Sequence, residues 1–193
     1  MIEQSGLVGN FSDIKNLSTG GEYLQLGFQP NSISLKERWR NNGLSADFMG
    51  DYITTFFPKN ESDPESISRQ AEIKSAVSYI ANELLENAMK YSNDALVKPI
   101  CICLFLEENE IIITEKNTSG IEQAQIYKNF ADKVNQSNPM EMYVEQLEAS
   151  AIGKSSSGLG FLTMLNDYNV KLAWQFINYP EYSEITTEVR LPV

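Results

Sequence analysis

Between Glu72 and Ser92 the chain reads EIKSAVSYIANELLENAMKYS, with apolar residues at Ile73, Ala76, Val77, Ile80, Ala81, Leu84, Leu85, Ala88 and Met89. That i, i+3, i+4, i+7 stripe marks an amphipathic helix with one buried face. The helix is expected to begin at Pro64 or Glu65, behind a cap at Asp63 or Ser62. Upstream, alternation in Glu22 to Gln29 predicts a strand, ended by Pro30-Asn31. Ser32 to Asn41 predicts a helix, Asn42-Gly43 a turn, and Ser45 to Phe57 a second helix with a Ser cap and a Pro58 stop.

Downstream, Ile100 to Leu106 and Glu110 to Thr114 are apolar and rich in β-branched residues, so they predict a hairpin around residues 107–109. Polar residues 115–120 read as a connection. Ile121 to Gln136 and Met140 to Ser150 predict two helices split by Asn138-Pro139. A small-residue loop, Gly153 to Gly160, leads to a short helix at Phe161 to Asp167. Val170 to Ile177 and Glu184 to Leu191 alternate as strands. This order predicts an α+β fold: a two-layer sandwich of a mixed, mainly antiparallel sheet with helices on one face. Residues 1–62 read as an N-terminal extension, a surface for dimerisation or a partner, ahead of a domain spanning 63–193.

Composition narrows the function. The 193 residues are 42% hydrophobic and 21% charged, an ordinary globular balance. A net charge of -11 argues against nucleic acid, whose phosphates need clustered Lys and Arg, and against an anionic membrane surface. No apolar run approaches the roughly 20 residues of a membrane-spanning helix, and the first residues lack a signal-peptide core, so the chain reads as cytosolic. The chain contains no histidine, which removes imidazole as base, ligand or phosphoacceptor. Cys101 and Cys103 share one face of a strand and read as buried, reduced thiols.

One edge of the long helix carries candidate chemistry. Glu83, Glu86, Asn87 and Lys90 lie three and four apart and so adjoin on one surface. A carboxylate, an amide and an ammonium beside an apolar face suit a metal-bound polyphosphate; the plain alternative is a solvated border with helical ion pairs. The glycines of Ser157-Gly158-Leu159-Gly160-Phe161 free backbone N–H groups at a helix N-terminus, where phosphate is favoured. The plain alternative there is an ordinary loop-to-helix turn.

A helix carrying E-x-x-x-N, then a hairpin, a variable insert and a glycine loop opening a helix, resembles the GHKL superfamily of Bergerat-fold ATPases. That superfamily includes gyrase, Hsp90, histidine kinases, MutL and anti-sigma-factor serine kinases. The N-box match is Asn82 to Ser92 (NELLENAMKYS), and the second glycine box matches Ser157 to Phe161. Glu83 stands four residues before Asn87, as in the serine-kinase branch. The resemblance covers about residues 68 to 192 and is greatest to stand-alone anti-sigma kinases and SiaB-type kinases of partner-switch pathways. It implies ATP or ADP with Mg²⁺, and a serine/threonine kinase or switch acting on a small regulatory protein of the anti-sigma-antagonist kind. It also implies Asn87 as the Mg²⁺ ligand through its amide oxygen, Glu83 as general base and Lys90 near the phosphates. Thr163 and Ser155 to Ser157 would donate further hydrogen bonds, and a lid would span about 118–157.

The family's first glycine box, D-x-G-x-G, has no counterpart here. Its place reads Ile113 to Gly120 (ITEKNTSG), with Glu115 or Asn117 left to accept from an adenine amino group. That departure opens a second reading, a flavin dinucleotide (FAD) in a light or redox sensor, with Trp174-Gln175, Tyr23 and Gln25 as candidate ring partners. Core aromatics at strand spacing are the plain alternative for each. A third reading is a non-catalytic, anti-sigma-like binding module, a homodimer whose exposed apolar residues would lie within Trp39 to Phe57.

Overall fold

The computed structural model describes residues 4–11, 21–29, 35–92, 98–151 and 158–193. Six strands form one sheet: β1 (Gln4–Val8), β2 (Tyr23–Phe28), β3 (Ile100–Leu106), β4 (Glu110–Ser119), β5 (Lys171–Asn178) and β6 (Ser183–Pro192). Their order is β1-β5-β6-β4-β3-β2, and every neighbouring pair is antiparallel, so the sheet expected from sequence to be mainly antiparallel is antiparallel at each pairing described. The described helices are α1 (Leu35–Thr54), α2 (Pro64–Tyr91), α3 (Ile121–Gln136), α4 (Pro139–Ala151) and α5 (Leu159–Asp167). The result is the expected α+β sandwich.

Helix α2 forms where its stripe places it. Asp63 caps it by accepting from the Glu65 N–H at 3.1 Å, and Pro64 occupies the first turn, where its missing N–H is harmless. Its inward residues Ile73, Ala76, Val77, Ile80, Ala81, Leu84, Leu85 and Ala88 are all buried. They meet Ile100, Ile102 and Leu104 of β3, Ile111 and Ile113 of β4, and Val189 and Leu191 of β6 in one core. Burying a side chain of this size fully contributes about 1.5–3 kcal/mol.

The register sorts the sheet into two faces. Ile102, Glu115, Thr187 and Trp174 are successive cross-strand partners on the helix-covered face. Cys101, Lys116, Thr186 and Gln175 are partners on the other. Cys101 and Cys103 are free and half-buried there; burial pushes the Cys101 thiol up and takes the Cys103 thiol up to about 11.

Three elements differ from the sequence expectation. Asn42-Gly43 is no turn: α1 runs unbroken from Leu35 to Thr54. Asn42 is buried and its amide donates to the Met89 sulfur, while the Ser45 hydroxyl donates back to Asn41 O rather than capping a new helix. Packing along α2 overrides the local turn signal; an Asp51–Lys74 ion pair and Gln70 donating to Thr54 O and Phe57 O continue the seam. Residues 115–119 are no connection but the second half of β4, paired as far as Ser119 with Ser183. The chain also gains β1, a short edge strand on β5.

Candidate functional site

The cleft lies where α2, α3 and α5 converge over the centre of the sheet. Helix α2 supplies Glu83, Asn87, Lys90 and Tyr91 from one edge, as their spacing requires. Helix α5 enters opposite, from Gly158, whose φ of 96° is a left-handed value that favours glycine. Gly158 makes no side-chain cap, so among the described residues the first amides of α5 have no capping side chain.

The two motifs meet at Gly160. A Cβ there would lie 2.0 Å from Glu83 Oε2 and 2.7 Å from Glu83 Cδ, so the carboxyl is seated in the space a side chain would fill. Burial pushes the Glu83 carboxyl above the usual carboxylate range, and neighbouring Glu86 adds to the rise. Glu86 itself accepts from the Asn82 amide at 2.8 Å. Thr163, one turn along α5, hydrogen-bonds the Tyr79 hydroxyl, so it faces the same seam.

Asn87 and Lys90 line a cavity of about 270 Å³ with Tyr91, Gln123, Ile126, Tyr127, Phe130, Gly158 and Phe161. Lys90 is exposed, with its ammonium 5.2 Å above the Tyr91 ring. The inner wall is aromatic. Tyr127 stacks on Tyr91 at 6.1 Å and on Phe130 at 6.4 Å, and meets Phe161 at 6.2 Å; Phe161 meets Trp174 edge-on at 5.9 Å. The Trp174 indole donates to the Tyr127 oxygen at 3.2 Å, and the Tyr127 and Thr187 hydroxyls share a hydrogen bond of 3.1 Å. Burial pushes the Tyr127 phenol far up, so it stays protonated.

Beneath the ring cluster lies Glu115. It is fully buried, and its Oε1 has no hydrogen-bond partner among the described residues. Desolvation alone raises its pKa well above the usual carboxylate range, because burial disfavours the charged form. A buried unpaired polar atom carries a penalty of about 1–3 kcal/mol and calls for an explanation. Asn117, two residues along the same face, is held instead: its amide donates to Ser92 Oγ at 3.3 Å and Ala88 O at 3.5 Å, tying β4 to the end of α2.

Most of the residues singled out from sequence therefore converge: Glu83, Asn87, Lys90, Gly158, Gly160, Phe161 and Thr163 around the cleft, with Glu115, Asn117 and Trp174 behind it. Leu159 opens α5, while Ser157 lies outside the described residues. Gln175 does not join them. It follows Trp174 on β5 and so faces the opposite side of the sheet, as do Tyr23 and Gln25 of β2. One ring cannot touch Trp174 and Gln175 from a single face. Residues that the sequence left unmarked are Tyr79, Tyr91, Tyr127, Phe130 and Thr187; the i, i+3 pair Tyr127 and Phe130 was the one available signal, an aromatic couple on the inner face of a predicted helix.

The donor set fits a metal–nucleotide in part. Among the described residues no group of three or more acidic or thiol side chains is placed to hold a metal unaided, so a cation would need the nucleotide's own oxygens beside Asn87. The glycine turn and the orphan Glu115 suit phosphate and a polar ring edge. The room does not: 270 Å³ is just below the roughly 300–1,000 Å³ of ligand pockets.

No family model matches this sequence, and no curated protein matches it. Among solved structures the fold is similar to a chain in the crystal structure of the SiaB–SiaC complex from Pseudomonas aeruginosa, with a TM-score of 0.55 at 14% identity over 93% of this chain and 96% of that one.

Proposed function

We propose that this chain is a nucleotide-binding signalling protein of the GHKL type, a switch that acts as a serine/threonine kinase on a small partner protein. One observation carries the reading: the desolvated Glu83 carboxyl is seated against Gly160, joining the base of the N-box helix to the glycine turn. A carboxyl lifted toward neutrality beside a phosphate-binding turn suits a general base for a serine or threonine hydroxyl. Phosphoryl transfer works mainly by positioning and charge stabilisation, so few further groups are needed. Asn87 would hold the cation that accompanies the nucleotide, the α5 amides would meet its phosphates, and Glu115 would meet the ring edge.

Two observations support a protein partner. The similar structure is itself a complex of two proteins. Helix α1 also carries an apolar ladder on its outer side: Leu44 is 59% and Phe48 51% exposed, and Tyr52 continues the i, i+4 spacing with a ring contact to Phe48 of 6.5 Å. Such a stripe suits a partner helix, or a second copy in a homodimer.

The test is calorimetry with Mg·ATP, followed by transfer of labelled phosphate to the partner protein. Glu83→Ala should abolish transfer and keep nucleotide; Asn87→Ala should weaken nucleotide binding in Mg²⁺ alone. Equal transfer by wild type and Glu83→Ala sinks the mechanism with Glu83 as base, and no transfer by either leaves a non-catalytic module. A flavin dinucleotide is the second reading, favoured by the ring cluster of Tyr91, Tyr127, Phe161 and Trp174. A colourless protein that takes up no FAD disposes of it.

A further inference from the structure

Helix α3 puts two rings where the glycine turn and Glu115 would meet a ligand. A Cβ on Gly158 would lie 2.4 Å from Phe130 Cζ, so the phenyl ring packs against the turn that opens α5, which has no side-chain cap among the described residues. Tyr127 is half-buried beside Glu115, yet its hydroxyl is satisfied by Thr187 and Trp174, and Glu115 Oε1 has no partner among the described residues. Both rings lie beside polar groups they do not serve: an apolar ring at helix-end amides that no described side chain caps, a phenol beside an orphan carboxyl. Such mismatches carry a free-energy penalty that a more polar occupant would relieve.

From this geometry we infer that Tyr127 and Phe130 are a built-in plug, and that α3 and the nucleotide compete for one slot. The inference rests on the nucleotide reading above and adds its regulation. With the plug in, the cavity is below ligand size. With it out, Glu115, Thr187 and the Trp174 N–H are the polar groups of an apolar ring slot, and the α5 amides are open to phosphate. Release of α3 would also bring Tyr127 and Phe130 to the surface beside Ile126, which is already 56% exposed. The three form a new apolar patch that reports the occupied state to a partner. Apparent affinity is the intrinsic affinity reduced by the fraction of molecules with the slot open.

The test is Mg·ADP titrated calorimetrically into wild type and Phe130→Ala, with hydrogen exchange of residues 121–136 followed in both. Removing one ring from the plug should tighten binding by about tenfold or more, and saturating ligand should speed exchange across α3 in the wild type. Tyr127→Leu is the second variant, with circular dichroism confirming the fold. Equal or weaker binding by both variants overturns the plug and leaves the nucleotide reading standing. No binding by any of the three at millimolar ligand overturns the nucleotide reading, and the plug with it.

Discussion

Replacing Gly160 with alanine isolates the contact on which the site reading depends. The new Cβ would stand 2.0 Å from Glu83 Oε2, 2.7 Å from Cδ and 3.2 Å from Cγ, and the three nearest atoms all belong to that one side chain. Two effects then oppose each other. Alanine gains up to about 1 kcal/mol over glycine in a helix, less in a first turn. Forcing the carboxyl out of a packed seat costs about 1–3 kcal/mol, much of it as an unfavourable rotamer. In the wild-type background Gly160→Ala should therefore lose up to about 2 kcal/mol. In a Glu83→Ala background the obstruction is gone, and the same substitution should gain up to about 1 kcal/mol. A double-mutant cycle by urea denaturation of the four proteins should give a coupling of about 1–3 kcal/mol. Stabilities that add to within about 0.5 kcal/mol would refute the contact and remove the link between the glycine turn and α2.

Glu115 gives a pH signature. Its folded-state pKa is raised by desolvation, so the folded chain keeps a proton that the unfolded chain releases above its ordinary carboxylate range. Stability is therefore fullest at acid pH and falls as pH rises toward the folded-state value. Glu115→Gln should flatten that slope and be the more stable protein at neutral pH; urea midpoints that fall equally with pH in both would assign the slope to other groups. Phe48→Ser, on the exposed α1 ladder, should change stability by less than about 0.5 kcal/mol while removing partner binding. A loss well beyond that would show that Phe48 belongs to the core.

Helix α2 was legible because burial on one side writes a 3.6-residue period into the sequence, and Asp63-Pro64 marks its start chemically. The C-terminal hairpin was legible for the same reason at period two. Asn42-Gly43 misled because a helix can hold a turn-prone pair when a neighbouring helix supplies the packing, here through Asn42 on Met89. Glu115 to Ser119 misled because all its side chains but Lys116 are buried inside a sheet paired on both sides, where backbone hydrogen bonds outweigh hydropathy. The glycine turn and N-box could be found as motifs, whereas their contact, Glu83 in the space of a missing Cβ, exists only in three dimensions. Nothing local separates Tyr127 and Phe130 from core residues; only Glu115 beneath them and Gly158 beside them do.

Strands β1 and β2 follow each other along the chain but lie at opposite edges of the sheet. Strand β1 is completed by β5, whose residues come from the far side of the sequence, and Val8 finds its partner at Trp174. On a ribosome, the first strand made is among the last to be paired. Until the β5–β6 hairpin emerges, the central strand β4 has β3 on one side and nothing on the other, and β1 has no partner at all. Such long-range closure slows folding, because a large loop must be ordered before any contact rewards it. The nascent chain therefore carries an unpaired, β-branched edge at β4 from Ser119 until Ser183 is made, the stage at which it is most exposed to aggregation and to chaperone capture.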